Sequence, residues 1–213
     1  MYAVLMAGGR GKRLILDFEK PILIINGRTM IERIIDELRR SDLDGIYVCT
    51  TKDTPLTERL VSHSYGEKVK VINTAGLGYI EDMRECAKRA VLKEPFIYIS
   101  ADLPLINSRM INYIISFYES REEDALSVFL KREVYAKYDI ETEMVLHYKG
   151  EEIVPVGINI IDGGRIEEEQ EECKLILDIP ELAFNINRIA DYERLVDFLK
   201  DDLYVWGDVE GVV

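Results

Sequence analysis

A chain of 213 residues, 47% apolar and 31% charged, is long enough for one sizeable soluble core and gives no reason to divide it. Its 40 acids against 27 bases, a net charge of −13, exclude an extended nucleic-acid or anionic-membrane surface, both of which need a basic footprint. No apolar run approaches the ~20 residues of a membrane span, and the start enters a strand pattern without a signal-peptide layout, so a cytoplasmic protein is expected, with no nucleic acid and no membrane as partners.

The first predicted strand, Tyr2 to Met6, opens into Ala7-Gly8-Gly9-Arg10-Gly11-Lys12-Arg13 and, further on, Lys20-Pro21. After Ile22 to Ile25 and an Asn26-Gly27 turn, a helix starts near Thr29. It carries Met30, Ile31, Ile34, Ile35 and Leu38 on one face, and Thr29 with Glu32 has the form of a capping box. Ile46 to Thr50 reads as a strand, Pro55 to His63 as a helix capped by Thr54, and Val69 to Ile72 as a strand. Glu81 to Leu92 then reads as a helix and Pro95 to Ile99 as a strand. This alternation to about residue 120 predicts a Rossmann-like α/β fold, a mainly parallel central sheet with helices on both faces.

From Ala125 the rhythm changes. Strand-like pieces at Ala125 to Leu130, Glu143 to Tyr148 and Ile153 to Ile161 follow one another and predict a mixed, partly antiparallel segment at one edge of the sheet. The acidic block Glu167 to Glu172 reads as a solvated helix face or loop, and Asp191 to Leu199 as a last helix. The tail from Leu203 to Val213, with Trp206, is free to fold back or to meet a second subunit, which leaves a homodimer open. Cys49, Cys86 and Cys173 are odd in number and widely spaced, which favours buried thiols over disulfides or a metal site. His63 and His147 have no second ligand type at metal spacing and read as surface or loop residues.

In an open α/β sheet the ligand lies outside the carboxyl ends of the strands. Four segments therefore belong together: the glycine loop; Thr50-Thr51-Lys52; Asn73 to Tyr79; and Ser100-Ala101-Asp102-Leu103-Pro104. Gly8, Gly9 and Gly11 allow a concave nest of N–H groups for phosphate oxygens, and Arg10, Lys12, Arg13 and Lys20 concentrate positive charge there; a surface turn with solvated charges is the alternative. Lys12 is followed by Arg13 instead of a hydroxyl residue, which excludes a Walker A loop. Leu14 stands where the dinucleotide fingerprint needs its third small residue, which disfavours a nicotinamide enzyme. Gly76 and Gly78 precede the third helix, whose N-terminal N–H groups and dipole favour a ligand anion or carbonyl oxygen. Asp102, after the strand Phe96 to Ile99, is either a ligand-side carboxylate or a cap for the turn or helix that follows.

Leu5-Met6-Ala7-Gly8-Gly9-Arg10-Gly11-Lys12-Arg13 with Lys20-Pro21 resembles the signature of the nucleotidyltransferases related to molybdenum-cofactor guanylyltransferase and the sugar-1-phosphate nucleotidyltransferases. Asp102-Leu103-Pro104 is similar to the Asp-x-Pro motif in which those enzymes hold magnesium. Three further segments, Asn73 to Cys86 with Gly78-Tyr79-Ile80-Glu81-Asp82, Pro155 to Ile161, and Phe184-Asn185-Ile186-Asn187, narrow the likeness to the archaeal adenosylcobinamide-phosphate guanylyltransferase family, almost to Leu199. Lys12, Leu14 and Ile15 depart from the loop pattern, and Arg188 stands where relatives often have Thr.

The resemblance implies one nucleotidyltransferase domain over 1–213, with a nucleotide-binding half at 1–120, an acceptor-side half at 121–200 and a tail at 201–213. It implies GTP and adenosylcobinamide phosphate as partners and Mg2+ as cofactor. Ala7, Gly8, Gly9, Arg10, Gly11, Thr50, Thr51, Asn73, Thr74, Gly76 and Gly78 would bind the nucleotide. Arg13 and Lys20 would face the phosphates, Asp102 would hold the metal, and Gly157 and Asn159 would serve the acceptor side. Guanine needs hydrogen-bond acceptors, for which Thr50, Thr51, Asn73 and Thr74 are the candidates. The alternatives are transfer to molybdopterin or a sugar phosphate, or a nucleotide-binding regulatory subunit without catalysis.

Overall fold

The computed structural model describes residues 1–9 and 19–200, so Arg10, Gly11, Lys12, Arg13 and the 201–213 tail lie outside the described residues. In chain order, β1 (Tyr2–Met6) is followed by a hairpin of β2 (Ile24–Ile25) and β3 (Arg28–Thr29), α1 (Met30–Arg40), β4 (Gly45–Thr51) and α2 (Pro55–Ser64). Then come β5 (Val69–Thr74), α3 (Tyr79–Arg89), β6 (Pro95–Ser100), α4 (Ser108–Glu119), β7 (Ala125–Lys131) and α5 (Arg132–Lys137). β8 (Leu146–Tyr148), β9 (Glu151–Asp162), β10 (Glu172–Leu177) and α6 (Ile189–Lys200) complete the described chain.

Apolar runs such as Tyr2–Met6 are stable only where both faces are covered, and β1 accordingly lies inside the sheet. The order is β10-β7-β9-β6-β1-β4-β5, with β8 paired to β9. β6, β1, β4 and β5 run parallel to their neighbours in that stretch, as do β7 and β10, while β9 is antiparallel to β6, β7 and β8. The expected mixed, partly antiparallel segment is thus present at one end of the sheet, where β7, β8 and β9 lie together. β9 sits between β6 and β7, and β10, which the acidic block obscured, forms that edge.

Helices cover both faces, unequally. The apolar stripe of α1 (Met30, Ile31, Ile34, Ile35, Leu38) is fully buried with Val61 of α2 and Met110, Ile111 and Ile114 of α4. At about 2 kcal/mol per buried aliphatic side chain, that stripe is a principal reason why α1 forms at all. On the other face α3 packs Met83, Cys86 and Ala87 onto Val4, Met6, Cys49, Phe96 and Tyr98. The Thr29–Glu32 capping box is present, each partner's side chain accepting from the other's backbone N–H. Thr54 does not cap α2: its hydroxyl accepts from Thr51 N at 3.0 Å and donates to Thr51 O at 3.3 Å. All three cysteines are buried thiols without disulfides. No described helix is long and apolar enough to cross a membrane.

Candidate active site

The carboxyl ends of β1, β4, β5 and β6 meet around a cavity of about 300 Å3. Met6 and Ser100 lie at the ends of β1 and β6 and Cys49 near the end of β4; Ala7, Gly8 and Gly9 lead out of β1; Thr51, Gly76 and Gly78 come from β4 and the β5–α3 loop; Lys20 and Asp102 complete the lining. Gly8 must be small. A Cβ there would stand 2.5 Å from Thr51 Cγ2, while Thr51 Oγ1 donates to Gly8 O at 3.0 Å. The first turn of the glycine loop therefore rests on the end of β4.

Lys20 is the centre of the polar wall. Its Nζ donates to Asp102 Oδ2 at 2.7 Å and to Asn187 Oδ1 at 2.8 Å. The Lys20 and Asp102 side chains retain only 13% and 15% of their exposure, so removing either strands the other in a poorly solvated place. The helix after Asp102 is capped by Asn107, whose Oδ1 accepts from Met110 N at 3.0 Å. The capping reading of Asp102 therefore falls away and its carboxylate faces Lys20. Asn187 belongs to the segment noted by resemblance, but nothing in its spacing pointed to Lys20. It arrives because Ile186 N donates to Asp102 O at 3.0 Å, and Asp191 Oδ2 accepts from Asn187 N and Arg188 N.

The β5–α3 loop differs from expectation. Its N–H groups are not offered to a ligand: Ala75 N donates to Glu85, Gly76 N and Leu77 N to Asp82 Oδ1, and Gly78 N to Asp82 Oδ2. Asp82, buried on α3, is the anion at that helix start. Gly78, at φ 136°, takes a conformation that suits glycine. Beside it Tyr79 has its phenol pushed well above the ordinary tyrosine value, first by burial and then by Tyr98, Asp102 and Cys49. The cleft surrounds Tyr79 yet leaves 41% of it open to water, which screens part of that effect. A hydrogen bond to Cys49, and then burial, push the Cys86 thiol up, and the same bond lowers Cys49.

Thr50, Asn73 and Thr74 are not brought to the cavity. Thr50 Oγ1 and Asn73 Nδ2 both donate to Glu58 Oε2 of α2, and Thr74 Oγ1 donates to Thr50 O inside the sheet. Side chains alternate along a strand, so of Thr50 and Thr51 only one faces the cavity, and it is Thr51. Gly157 lies against the cavity's Ser100, where an added Cβ would stand 3.1 Å from Ser100 Cβ, and at φ 82° it sits where the β7–β9 register shifts. Asn159 is further along β9, opposite Tyr98 and Ser127, away from the cavity. Glu19, buried and unnoticed in the sequence, accepts from Leu56 N, Thr57 N and Thr57 Oγ1 at the start of α2.

Asp102 and Asn187 each place an oxygen against one ammonium group, so one cation is already shared between them. A hard divalent cation with phosphate and water as its other ligands suits such an oxygen pair. Among the described residues no three His, Cys, Asp or Glu side chains form a self-sufficient metal cage.

The MobA-like NTP transferase domain family matches residues 3–151. The adenosylcobinamide-phosphate guanylyltransferase of Methanocaldococcus jannaschii is 32% identical over 209 residues, covering 95% of this chain and 99% of that protein. Among solved structures, HddC from Yersinia pseudotuberculosis complexed with GMP-PN aligns with a TM-score of 0.69 at 18% identity, covering 93% of this chain and 99% of the other. A putative glucose-1-phosphate thymidylyltransferase from Bacillus anthracis aligns with a TM-score of 0.70 at 14% identity, covering 96% and 97%. The last two share the fold. The chain belongs to the MobA-like NTP transferase family and is a nucleotidyltransferase, similar over almost its whole length to the methanogen guanylyltransferase.

Proposed function

We propose that the chain transfers GMP from GTP to the phosphate of adenosylcobinamide phosphate, releasing pyrophosphate and forming adenosylcobinamide-GDP. The observation that carries this reading is the meeting of Lys20, Asp102 and Asn187 beside the Ala7–Gly9 turn, in a chain so similar to that guanylyltransferase. An acceptor phosphate oxygen attacks the α-phosphorus, the bond to the β-phosphate bridging oxygen breaks, and pyrophosphate leaves with that electron pair. The attacking oxygen is already ionised near neutral pH, so no general base is required. What remains is alignment of two anions and neutralisation of their charge.

Lys20 supplies a fixed cation to the phosphates, and Gly8 and Gly9 allow close approach of the backbone. Mg2+, held by Asp102 with Asn187, would add Lewis-acid neutralisation of the nucleotide phosphates. The β5–α3 loop suits guanine. With the N–H groups of Gly76, Leu77 and Gly78 turned to Asp82, planar trans peptides turn the carbonyls of Ala75, Gly76 and Leu77 the other way. Carbonyl oxygens are acceptors for the N1–H and 2-amino groups of guanine and mismatch the N1 of adenine.

Pyrophosphate release from each of the four NTPs, with magnesium and adenosylcobinamide phosphate, tests the proposal. Release with GTP alone, dependent on the corrinoid, is expected. Asp102→Ala should lower turnover by about a hundredfold or more, and chelation of magnesium should abolish it. Equal turnover of ATP, or corrinoid-independent release, would sink the reading.

A further inference from the structure

We propose that Glu19 is a positioning residue of the active site, acting through Lys20. The inference rests on the reading of Lys20 given above. Among the described residues, the Glu19 carboxylate accepts from two backbone N–H groups and one hydroxyl at the start of α2. Its Oε1 accepts from Leu56 N at 2.6 Å, and its Oε2 accepts from Thr57 N at 2.7 Å and Thr57 Oγ1 at 2.6 Å. Only 7% of Glu19 is exposed and Thr57 is fully buried. These N–H groups belong to the first turn of α2 and have no partner within the helix. The residue that should cap them by position, Thr54, has its hydroxyl committed to Thr51. A carboxylate from a distant part of the chain therefore takes the place of the local cap and gains from the helix dipole as well.

The consequence reaches the cavity from two sides. Thr51, which Thr54 braces, holds Gly8 O at 3.0 Å. The corner between β4 and α2 thus fastens Gly8 on one side and Glu19 on the other. The residue after Glu19 is Lys20, whose backbone turns at once into a short 3-10 segment, Lys20–Ile22, with Pro21 buried. With the preceding carboxylate pinned and the following proline packed, Lys20 has little freedom except in its own side chain. That side chain lies against both Asp102 and Asn187. Precision of a charged group against a phosphate depends on such fixed supports.

Charge and position predict opposite results for Glu19→Gln. Removing a negative charge near an anion site by itself tightens an anionic ligand, whereas losing the anchor of Lys20 weakens it. The experiment is a double-mutant cycle on Glu19→Gln and Lys20→Ala, read as the Kd of GTP with magnesium and as pyrophosphate release. In the parent background Glu19→Gln should weaken GTP about tenfold, and in the Lys20→Ala background by less than about twofold. Thr57→Val, which removes one of the three bonds and keeps the charge, should show the same non-additivity on a smaller scale and serves if Glu19→Gln fails to fold. Parent-like or tighter GTP binding in Glu19→Gln would overturn the proposal. So would the same factor lost in both backgrounds, the mark of a purely structural role. If Lys20→Ala alone leaves GTP binding and turnover unchanged, the reading of Lys20 falls and takes this inference with it; a damaging Lys20→Ala beside a harmless Glu19→Gln overturns the inference alone.

Discussion

Gly8 and Thr51 set the tightest steric condition in the site. A Cβ on residue 8 meets Thr51 Cγ2 at 2.5 Å, closer than packed carbons tolerate, whereas the backbone of Gly8 is not in the left-handed region. The glycine is required by a neighbour, not by its own torsion angles. Gly8→Ala should therefore weaken GTP about tenfold or more by displacing the turn. Thr51→Ser, which deletes the offending methyl and keeps the hydroxyl that donates to Gly8 O, should restore most of that affinity in the double variant. Calorimetric titration of GTP into both proteins decides it; an unrepaired double variant would mean that the loop reads the side chain at residue 8 in some other way.

At the scale of elements, α3 shows how a helix start can be occupied by the protein itself. Asp82 accepts three loop N–H groups and is 7% exposed. Asp82→Ala should cost about 1–3 kcal/mol, seen as a lower denaturation midpoint with an unchanged denaturant slope. A stability equal to the parent's would show that water replaces the carboxylate at no net loss.

The same elements show what the sequence can carry. The start of α1 was legible because Thr29, Glu32 and the apolar stripe are all local, and so were β1, β4, β5 and β6 as apolar runs. The cap of α2 was not, since Thr54 has the right chemistry and Glu19, 37 residues before Leu56, takes its role. β10 was hidden by the acids that precede Cys173, and the insertion of β9 between β6 and β7 was not legible because strand order is not written in any local pattern. At the site, motif spacing gave Gly8, Lys20 and Asp102. It could not show that Asn187 completes them, that Thr50 faces α2, or that Asp82 has already taken the loop's N–H groups.

Across the whole molecule the sheet separates two apolar layers, and Tyr98 belongs to the smaller one beneath α3. Burial, helped by Glu172, pushes its phenol from 10 up to about 12. Because the folded state favours the protonated phenol, its contribution to stability is complete below pH 10 and is lost as pH rises through about 12. Alkaline titration followed by circular dichroism should show unfolding in that window, together with phenolate absorbance. Tyr98→Phe should flatten this limb; an alkaline profile identical to the parent's would assign the transition to other groups.

The contact between Lys20 and Asn187 joins residues 167 positions apart, and Ile186 is hydrogen-bonded to Asp102. Chains emerge from the ribosome amino-terminal end first, and contacts of long sequence separation form late. β1 and β6, which lead to Gly8 and Asp102, and β4, which bears Thr51, can therefore pair while the residues that supply Asn187 are still unsynthesised. During its own synthesis the protein acquires the walls of its cavity first, and the constellation around Lys20 closes only when the last described quarter of the chain has docked.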